Sequence, residues 1–104
     1  MPRGAIPMSY TSVMVMESTA TYAEGLRSFR KNTQPGLEAA KKAGVLNSWS
    51  VVQTGKHSGL AIFQYPNKTA RNKFAKAMAA SRDSQAEKLG MQIWIHHGPV
   101  KISG

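Results

Sequence analysis

The sequence has no cysteine, few acidic residues and no long apolar run. Without cysteine, the chain can form neither a disulfide nor a thiolate metal site. Its five Asp and Glu residues are scattered, which argues against the close carboxyl pair of glycoside hydrolases. No apolar run exceeds four residues, as in Val13–Met16, far short of a membrane span. We therefore expect a soluble, cytoplasmic protein.

The length of 104 residues has room for one domain, and 41% hydrophobic residues are enough for a core. We expect a single domain over residues 9–98, between an N-terminal tail (1–8) and a C-terminal tail (99–104). The first eight residues, MPRGAIPM, contain two prolines and no apolar run of signal-peptide length. This start is consistent with the cytoplasmic expectation.

The order of predicted elements is β-α-β-β-α-β. Apolar alternation and turn residues predict strands over 9–17, 45–54, 60–65 and 91–97, a helical segment from Ala20 to a stop at Gly44, and a helix over 68–89. Ser18 and Thr19 are a helix-start signal, and Pro35 predicts either a kink or two helical pieces, with Pro35 in the first turn of the second. The pattern indicates an α+β fold of ferredoxin-like type, with one four-stranded antiparallel sheet and two helices on one face.

Alternation along the strands gives two apolar sets of side chains. The aliphatic sets suit the face that the helices cover: Val13, Val15, Leu60, Ile62, Met91, Ile93, Ile95. The other face, which nothing in one chain covers, then carries Met14, Met16, Trp49, Val51, Phe63, Tyr65, Trp94. A lone domain would expose several hundred Å² of apolar surface, the size of a typical interface or ligand site. We therefore expect a homodimer in which two sheets pair face to face and leave a cavity lined by the larger side chains.

The segment Val51–Met78 carries a resemblance to a known family. It reads VVQTGKHSGLAIFQYPNKTARNKFAKAM, and this order of strand, turn, strand, strand-end aromatic and helix resembles the dimeric α/β-barrel superfamily. That superfamily includes the antibiotic-biosynthesis-monooxygenase-like and stress-responsive barrel proteins, and the likeness extends loosely over residues 9–98. It implies a homodimeric barrel. For an enzyme, it implies a cofactor-independent, monooxygenase-like oxidoreductase, since some members oxidise aromatic substrates without metal or cofactor.

The haem-degrading branch of the same superfamily fits less well. Tyr65 occupies the strand-end position where that branch has a tryptophan against the ligand. The branch also needs a histidine on the following helix, and residues 68–89 contain none. With no cysteine either, no axial ligand is evident at the matching position, and we expect no cofactor.

The three histidines do not form a metal motif. His96 and His97 are neighbours on a predicted strand and point to opposite faces, while His57 lies in a turn. We therefore predict no metal site. His96 shares a face with Trp94 and is our candidate acid or base. The alternative is a strand-end histidine bonded to backbone or water.

The predicted ligand is a small apolar or aromatic molecule held between the sheet and the helices. The candidate pocket residues are Met14, Met16, Trp49, Phe63, Tyr65, Trp94. Lys68 and Arg71, at the start of the second predicted helix, are candidates for a rim that attracts anions. A stripe of Met and aromatic residues is also what a plain core looks like, so a filled cavity without a ligand stays open as an alternative.

The net charge of +9, from 14 Lys and Arg against 5 acids, indicates either an anionic partner or a well-solvated helix surface. RNA-recognition modules share the predicted topology and stack bases on exposed aromatic residues. The corresponding strand, Ser58–Tyr65, has Leu60 and Ile62 at the two stacking positions. A basic module that binds nucleic acid or another protein without catalysis is therefore the alternative function.

Overall fold

The computed structural model describes residues 9–102, except for the side chain of Gln85. In chain order the elements are β1 (Tyr10–Ser18), α1 (Tyr22–Asn32), α2 (Gln34–Lys42), β2 (Ser48–Gln53), β3 (Ser58–Tyr65), α3 (Lys68–Lys88) and β4 (Met91–Pro99). The strands form one antiparallel sheet in the order β2-β3-β1-β4. This confirms the predicted ferredoxin-like α+β fold. The predicted tail over residues 1–8 and the last two residues of the other tail lie outside the described range.

The first crossover consists of two helices instead of one. Thr33 separates them: its N–H donates to the carbonyl of Phe29, and its own carbonyl accepts from Leu37. Pro35 lies in the first turn of α2, where the N–H that proline lacks would have had no helical partner. The predicted break is confirmed as two pieces, so the fold has three helices. Leu37 has no exposed surface, which makes α2 part of the core. Among residues 9–102, no helix is both long and apolar enough to cross a membrane.

Helix α1 begins later than the sequence indicated. Thr21 is its N-cap, and Thr21 and Glu24 form a capping box in which each side chain accepts from the other residue's backbone N–H. The hydroxyls of Ser18 and Thr19 have another role. Both donate to the carbonyl of Leu89, at 2.7 and 3.2 Å. They connect the end of β1 to the end of α3, which a search for a local helix start cannot detect.

The register assigns each strand residue to one of two faces, because residues directly opposite each other on neighbouring strands share a face. Met14 is opposite Ala61 on β3 and Ile95 on β4. We call this side the helix-covered face; it meets the helices in a buried cluster of Leu37, Leu46, Ala61, Phe63, Tyr65, Phe74. The other side, here the open face, carries Val13, Val15, Val52, Leu60, Ile62, Trp94, His96.

The predicted faces are therefore right for β4 and wrong for β1, β2 and β3. On those three strands the Met and aromatic set lies under the helices, and the aliphatic set lies on the open face. Polar residues carried the missing signal: Glu17 is in phase with Val15, Gln64 is in phase with Ile62, and both polar side chains are exposed. Methionine and aromatic side chains are long enough to span the distance between the sheet and the helices. Short β-branched side chains pack into a flat surface instead.

Candidate functional site

A cavity of about 160 Å³ lies between the helix-covered face and the helices. The sheet forms its floor, α1 and α3 form most of its roof, and its walls are largely apolar. An apolar cavity of roughly 150 Å³ is large enough to hold benzene. The space therefore matches a ligand of about one aromatic ring.

The floor of the cavity contains four of the six predicted pocket residues: Met14, Met16, Phe63, Tyr65. Trp49 lies on the same face but outside the cavity wall, with its ring 5.7 Å from that of Phe29. Trp94 lies on the open face and is 44% exposed. The two-residue period of the strands places the four floor residues on one face. Trp94 is separated from them because it lies on the other face, and Trp49 because it lies outside the cavity wall.

The roof of the cavity was largely missed by the sequence reasoning. On α1, Tyr22, Leu26 and Phe29 line the cavity, and the interval of three to four residues between them was the available signal. Gly25 lies on the same inward side and also lines the cavity. A Cβ added at Gly25 would have no non-local heavy atom within 4 Å. The glycine thus leaves open the space that a side chain would occupy.

Phe74 connects α3 to the floor of the cavity. Its ring centroid lies 5.6 Å from that of Phe63 and 5.7 Å from that of Tyr65, both in tilted arrangements. Tilted aromatic pairs at this distance contribute about 0.5–1.5 kcal/mol beyond the burial of their area. The three rings form the densely packed end of the cavity.

Tyr65 is the buried titratable group in this region. It is 2% exposed, and burial raises the pKa of its phenol above the ordinary value of 10.0. A hydrogen bond with the hydroxyl of Ser12 and the charge of Arg71 act in the opposite direction on the same pKa. Ser12 is itself buried, so this polar pair lies within apolar surroundings next to the cavity.

The raised pKa of Tyr65 predicts that the folded protein loses stability at high pH. Because the folded state holds the Tyr65 proton more tightly than the unfolded state, its contribution to stability is complete below about pH 10 and is lost as the pH rises through the folded-state pKa. Tyr65→Phe should remove this loss. Ultraviolet absorbance of tyrosinate, wild type minus variant, should give a midpoint above 10.0; a midpoint at or below that value would contradict the burial of the phenol.

Arg71 lies on the cavity wall, while Lys68, one turn earlier on α3, is exposed and does not line it. The guanidinium of Arg71 donates to Asn72 Oδ1 and to His97 Nδ1, both at 3.0 Å. Its Nε is buried and has no hydrogen-bond partner. Of the two predicted rim residues, the structure therefore brings one to the cavity.

The histidines are distributed over three places. His96 is exposed on the open face, across the sheet from the cavity, so its predicted acid-base role stays a prediction that this geometry does not support. His97 accepts from Arg71, and His57, which lines the cavity, donates from Nδ1 to the carbonyl of Ala20 at 2.8 Å. Within residues 9–102, no three His, Cys, Asp or Glu side chains lie close enough together to hold a metal ion.

The open face is a second candidate surface. Residues directly opposite each other form one apolar row across all four strands: Val52, Leu60, Val15, Trp94. The adjacent row is Ser50, Ile62, Val13, His96. Polar rows that contain Gln64 and Glu17 flank them. An apolar centre with a polar rim is typical of a protein interface. Trp94 and His96 are the two ring-bearing side chains in these rows, and both lie on the edge strand β4, whereas a base-stacking platform has its aromatic residues on the central strands.

No protein-family model matches the chain, and no curated protein matches it. Several solved structures are similar to the chain. A dimeric ferredoxin-like protein from an uncultured marine organism has a TM-score of 0.75 at 14% identity over 93% of this chain and 91% of that one. SnoaB from Streptomyces nogalater, described as a cofactor-independent oxygenase, has a TM-score of 0.65 at 14% identity, covering 92% and 94% of the two chains.

A third similar structure, from Caulobacter crescentus, is provisionally described as an antibiotic biosynthesis monooxygenase. Its TM-score is 0.67 at 9% identity, over 95% of this chain and 96% of that one. At these identities, the likeness concerns the fold. The chain therefore has the fold shared by dimeric ferredoxin-like proteins and antibiotic-biosynthesis-monooxygenase-like proteins.

Proposed function

We propose that this protein binds a small apolar or aromatic molecule in the cavity between sheet and helices, and that it does so as a homodimer paired through the open face. The observation that carries the first part is the apolar cavity with Gly25 in its roof. A glycine inside a helix costs roughly 0.5–1 kcal/mol relative to alanine. A sequence selected only for a packed core gains stability from a larger residue there, so the vacant position favours a ligand over a plain core.

The second part is supported by the apolar rows of the open face, which include Val52 at 42% and Trp94 at 44% exposure. Contiguous apolar surface rimmed by polar residues usually marks an interaction site. A C2 dimer would pair this surface with its own copy. The similar structure from a marine organism is described as dimeric, which supports a second copy of this chain as the occupant.

The finer form of the proposal is oxygenation of the bound ring by dioxygen without a cofactor, by analogy with SnoaB. One oxygen atom of dioxygen replaces two hydrogens on a ring carbon and forms a carbonyl, and the other oxygen atom leaves with those hydrogens as water. Such chemistry requires a site that excludes water from an electron-rich ring and a base that ionises it. The apolar walls suit the first requirement. His57 is a candidate for the second, because its Nδ1 donates to Ala20 and its Nε2 remains an acceptor at the cavity.

Toluene is a suitable probe for the cavity, because it is apolar and of one-ring size. We expect it to shift the backbone amide signals of Gly25 and its neighbours in an NMR titration. In Gly25→Leu the new side chain should fill the cavity and weaken binding at least about tenfold, as expected for loss of a one-ring apolar site. The helix itself should tolerate the change, since leucine is a better helix former than glycine.

Ala23→Leu is the matched control for this experiment. Ala23 lies on the same helix but is exposed and does not line the cavity, so a leucine there points away from the cavity. Toluene binding to this variant should equal that of the wild type. If the wild type shows no saturable shifts with toluene, or if both variants bind it equally, the cavity is not a ligand site.

A further inference from the structure

We infer that the ligand of the cavity carries a carboxylate on its apolar body, and that Arg71 binds this carboxylate. The inference rests on the proposed function and adds the chemical class of the ligand. It follows from three features of Arg71: its position on the cavity wall, its hydrogen-bond partners and its unpaired charge.

The present partners of the Arg71 guanidinium are all neutral groups. Asn72 offers an amide oxygen, and His97 offers Nδ1, which as an acceptor carries no proton. The remaining nitrogen, Nε, is buried and has no partner. A buried donor without an acceptor costs about 1–3 kcal/mol, and more when the group is charged. The buried Nε–H of Arg71 therefore still lacks an acceptor.

The charge of Arg71 is also uncompensated within the described residues. All five acids of the sequence lie in that range, and the ion pair among them joins Arg82 to Asp83, at 3.4 Å. Arg82 also lines the cavity, but it has this carboxylate beside it. Arg71 has none, so a bound molecule would be the source of a counter-charge at this wall.

A carboxylate would give Arg71 both a hydrogen-bond acceptor and a negative charge. Its two oxygens match the parallel N–H groups of a guanidinium, and such charge-assisted bonds are roughly twice as strong as neutral ones. Asn72 and His97 are exposed, so water can replace Arg71 as their partner when its side chain turns toward the cavity. Arg71 also lies in the first turns of α3, where the positive end of the helix dipole favours an anion.

Benzoate and benzamide test the inference, because they have nearly the same shape and differ in charge. We expect benzoate to bind wild-type protein at least about tenfold more tightly than benzamide, the effect of one hydrogen bond to a charged group. Calorimetry gives both dissociation constants. Arg71→Gln should abolish this preference, and Arg71→Lys should keep part of it, because the charge remains but the planar fork is lost.

Lys73→Gln is the matched control: it removes the same charge from the same helix, but Lys73 is exposed and does not line the cavity. It should keep the preference for benzoate. Equal binding of benzoate and benzamide by the wild type, with toluene still bound, would overturn the inference and leave the proposed function intact. Failure of all three probes to bind would instead overturn the proposed function. If Arg71→Gln does not fold, a reduced preference for benzoate in Arg71→Lys, with an unchanged preference in Lys73→Gln, supports the inference, and an unchanged preference in both variants overturns it.

Discussion

Val15→Asp is expected to convert the homodimer into a monomer. Val15 lies in the middle of the apolar row that crosses the open face, between Leu60 and Trp94. In a C2 dimer each copy would bury its new carboxylate in an apolar interface without a cation to pair with. A buried, unpaired charge costs about 3–5 kcal/mol, which corresponds to a dissociation constant raised at least about a hundredfold.

Analytical ultracentrifugation of both proteins at matched concentrations measures this effect. Val15→Leu, which keeps the surface apolar, serves as control and should remain dimeric. Quenching of Trp94 fluorescence in a Trp49→Phe background gives a second readout, since a dimer should protect this side chain and the Asp variant should expose it. A wild-type monomer at high concentration would contradict self-association through the open face, and so would an unchanged dimer in Val15→Asp.

The proposed dimer interface lies on the face of the sheet opposite the cavity, so the two parts of the proposal can be tested separately. The cavity is formed within one chain, by residues of the helix-covered face and the helices above it. Val15→Asp should therefore still bind toluene if its monomer stays folded. Because the stability of an obligate dimer depends on protomer concentration, comparisons of folding require a fixed concentration.

Phe74→Ala is expected to cause the largest loss of stability. Phe74 is 7% exposed and contacts Phe63 and Tyr65 in the densely packed end of the cavity. Truncation of a buried phenylalanine costs about 3–5 kcal/mol, because the transfer energy of the ring and its packing contacts are both lost. The free energy of unfolding of a whole domain is about 5–15 kcal/mol, so this loss should leave the variant close to unfolding.

Urea denaturation at fixed protein concentration gives the difference in the free energy of unfolding. Phe74→Leu, which keeps most of the apolar volume, should cost clearly less than the alanine variant. Toluene should raise the stability of Phe74→Ala, because the enlarged cavity offers it more contacts and binding to the folded state stabilises that state. A loss of less than about 1 kcal/mol for Phe74→Ala would contradict the central position of this ring in the core.

The order of elements and the main breaks between them could be predicted from the sequence, since they depend on neighbouring residues. Period-two alternation marks the strands, and Pro35 divides the first crossover because its ring cannot continue a helix from the preceding turn. Gly44 has a φ of +79°, a conformation that suits glycine at the end of α2. Each of these signals acts within a few residues and needs no tertiary partner.

The face that each strand turns to the helices could not be predicted reliably in the same way. Alternation separates Met14 from Val15, but both sets on β1 are apolar, and period alone does not say which set is covered. The answer depends on which side chains fill the gap under α1 and α3, a property of volumes brought together from distant parts of the chain. Glu17, in phase with Val15, and Gln64, in phase with the aliphatic residues of β3, were the local clues.

The candidate site also has some features that the sequence predicts and others that only the tertiary structure shows. Met14, Met16, Phe63 and Tyr65 could be grouped from the sequence because the strand period places them on one face, but they were expected on the open face and lie under the helices. The vacant position at Gly25 and the contact between Arg71 and His97, 26 residues apart, appear only when α1 and α3 are packed on the sheet. The sequence by itself determined the elements and their two-sided character. The tertiary structure decided which side holds the cavity and which charge faces it, because cavities and unpaired charges are created by contacts between distant segments.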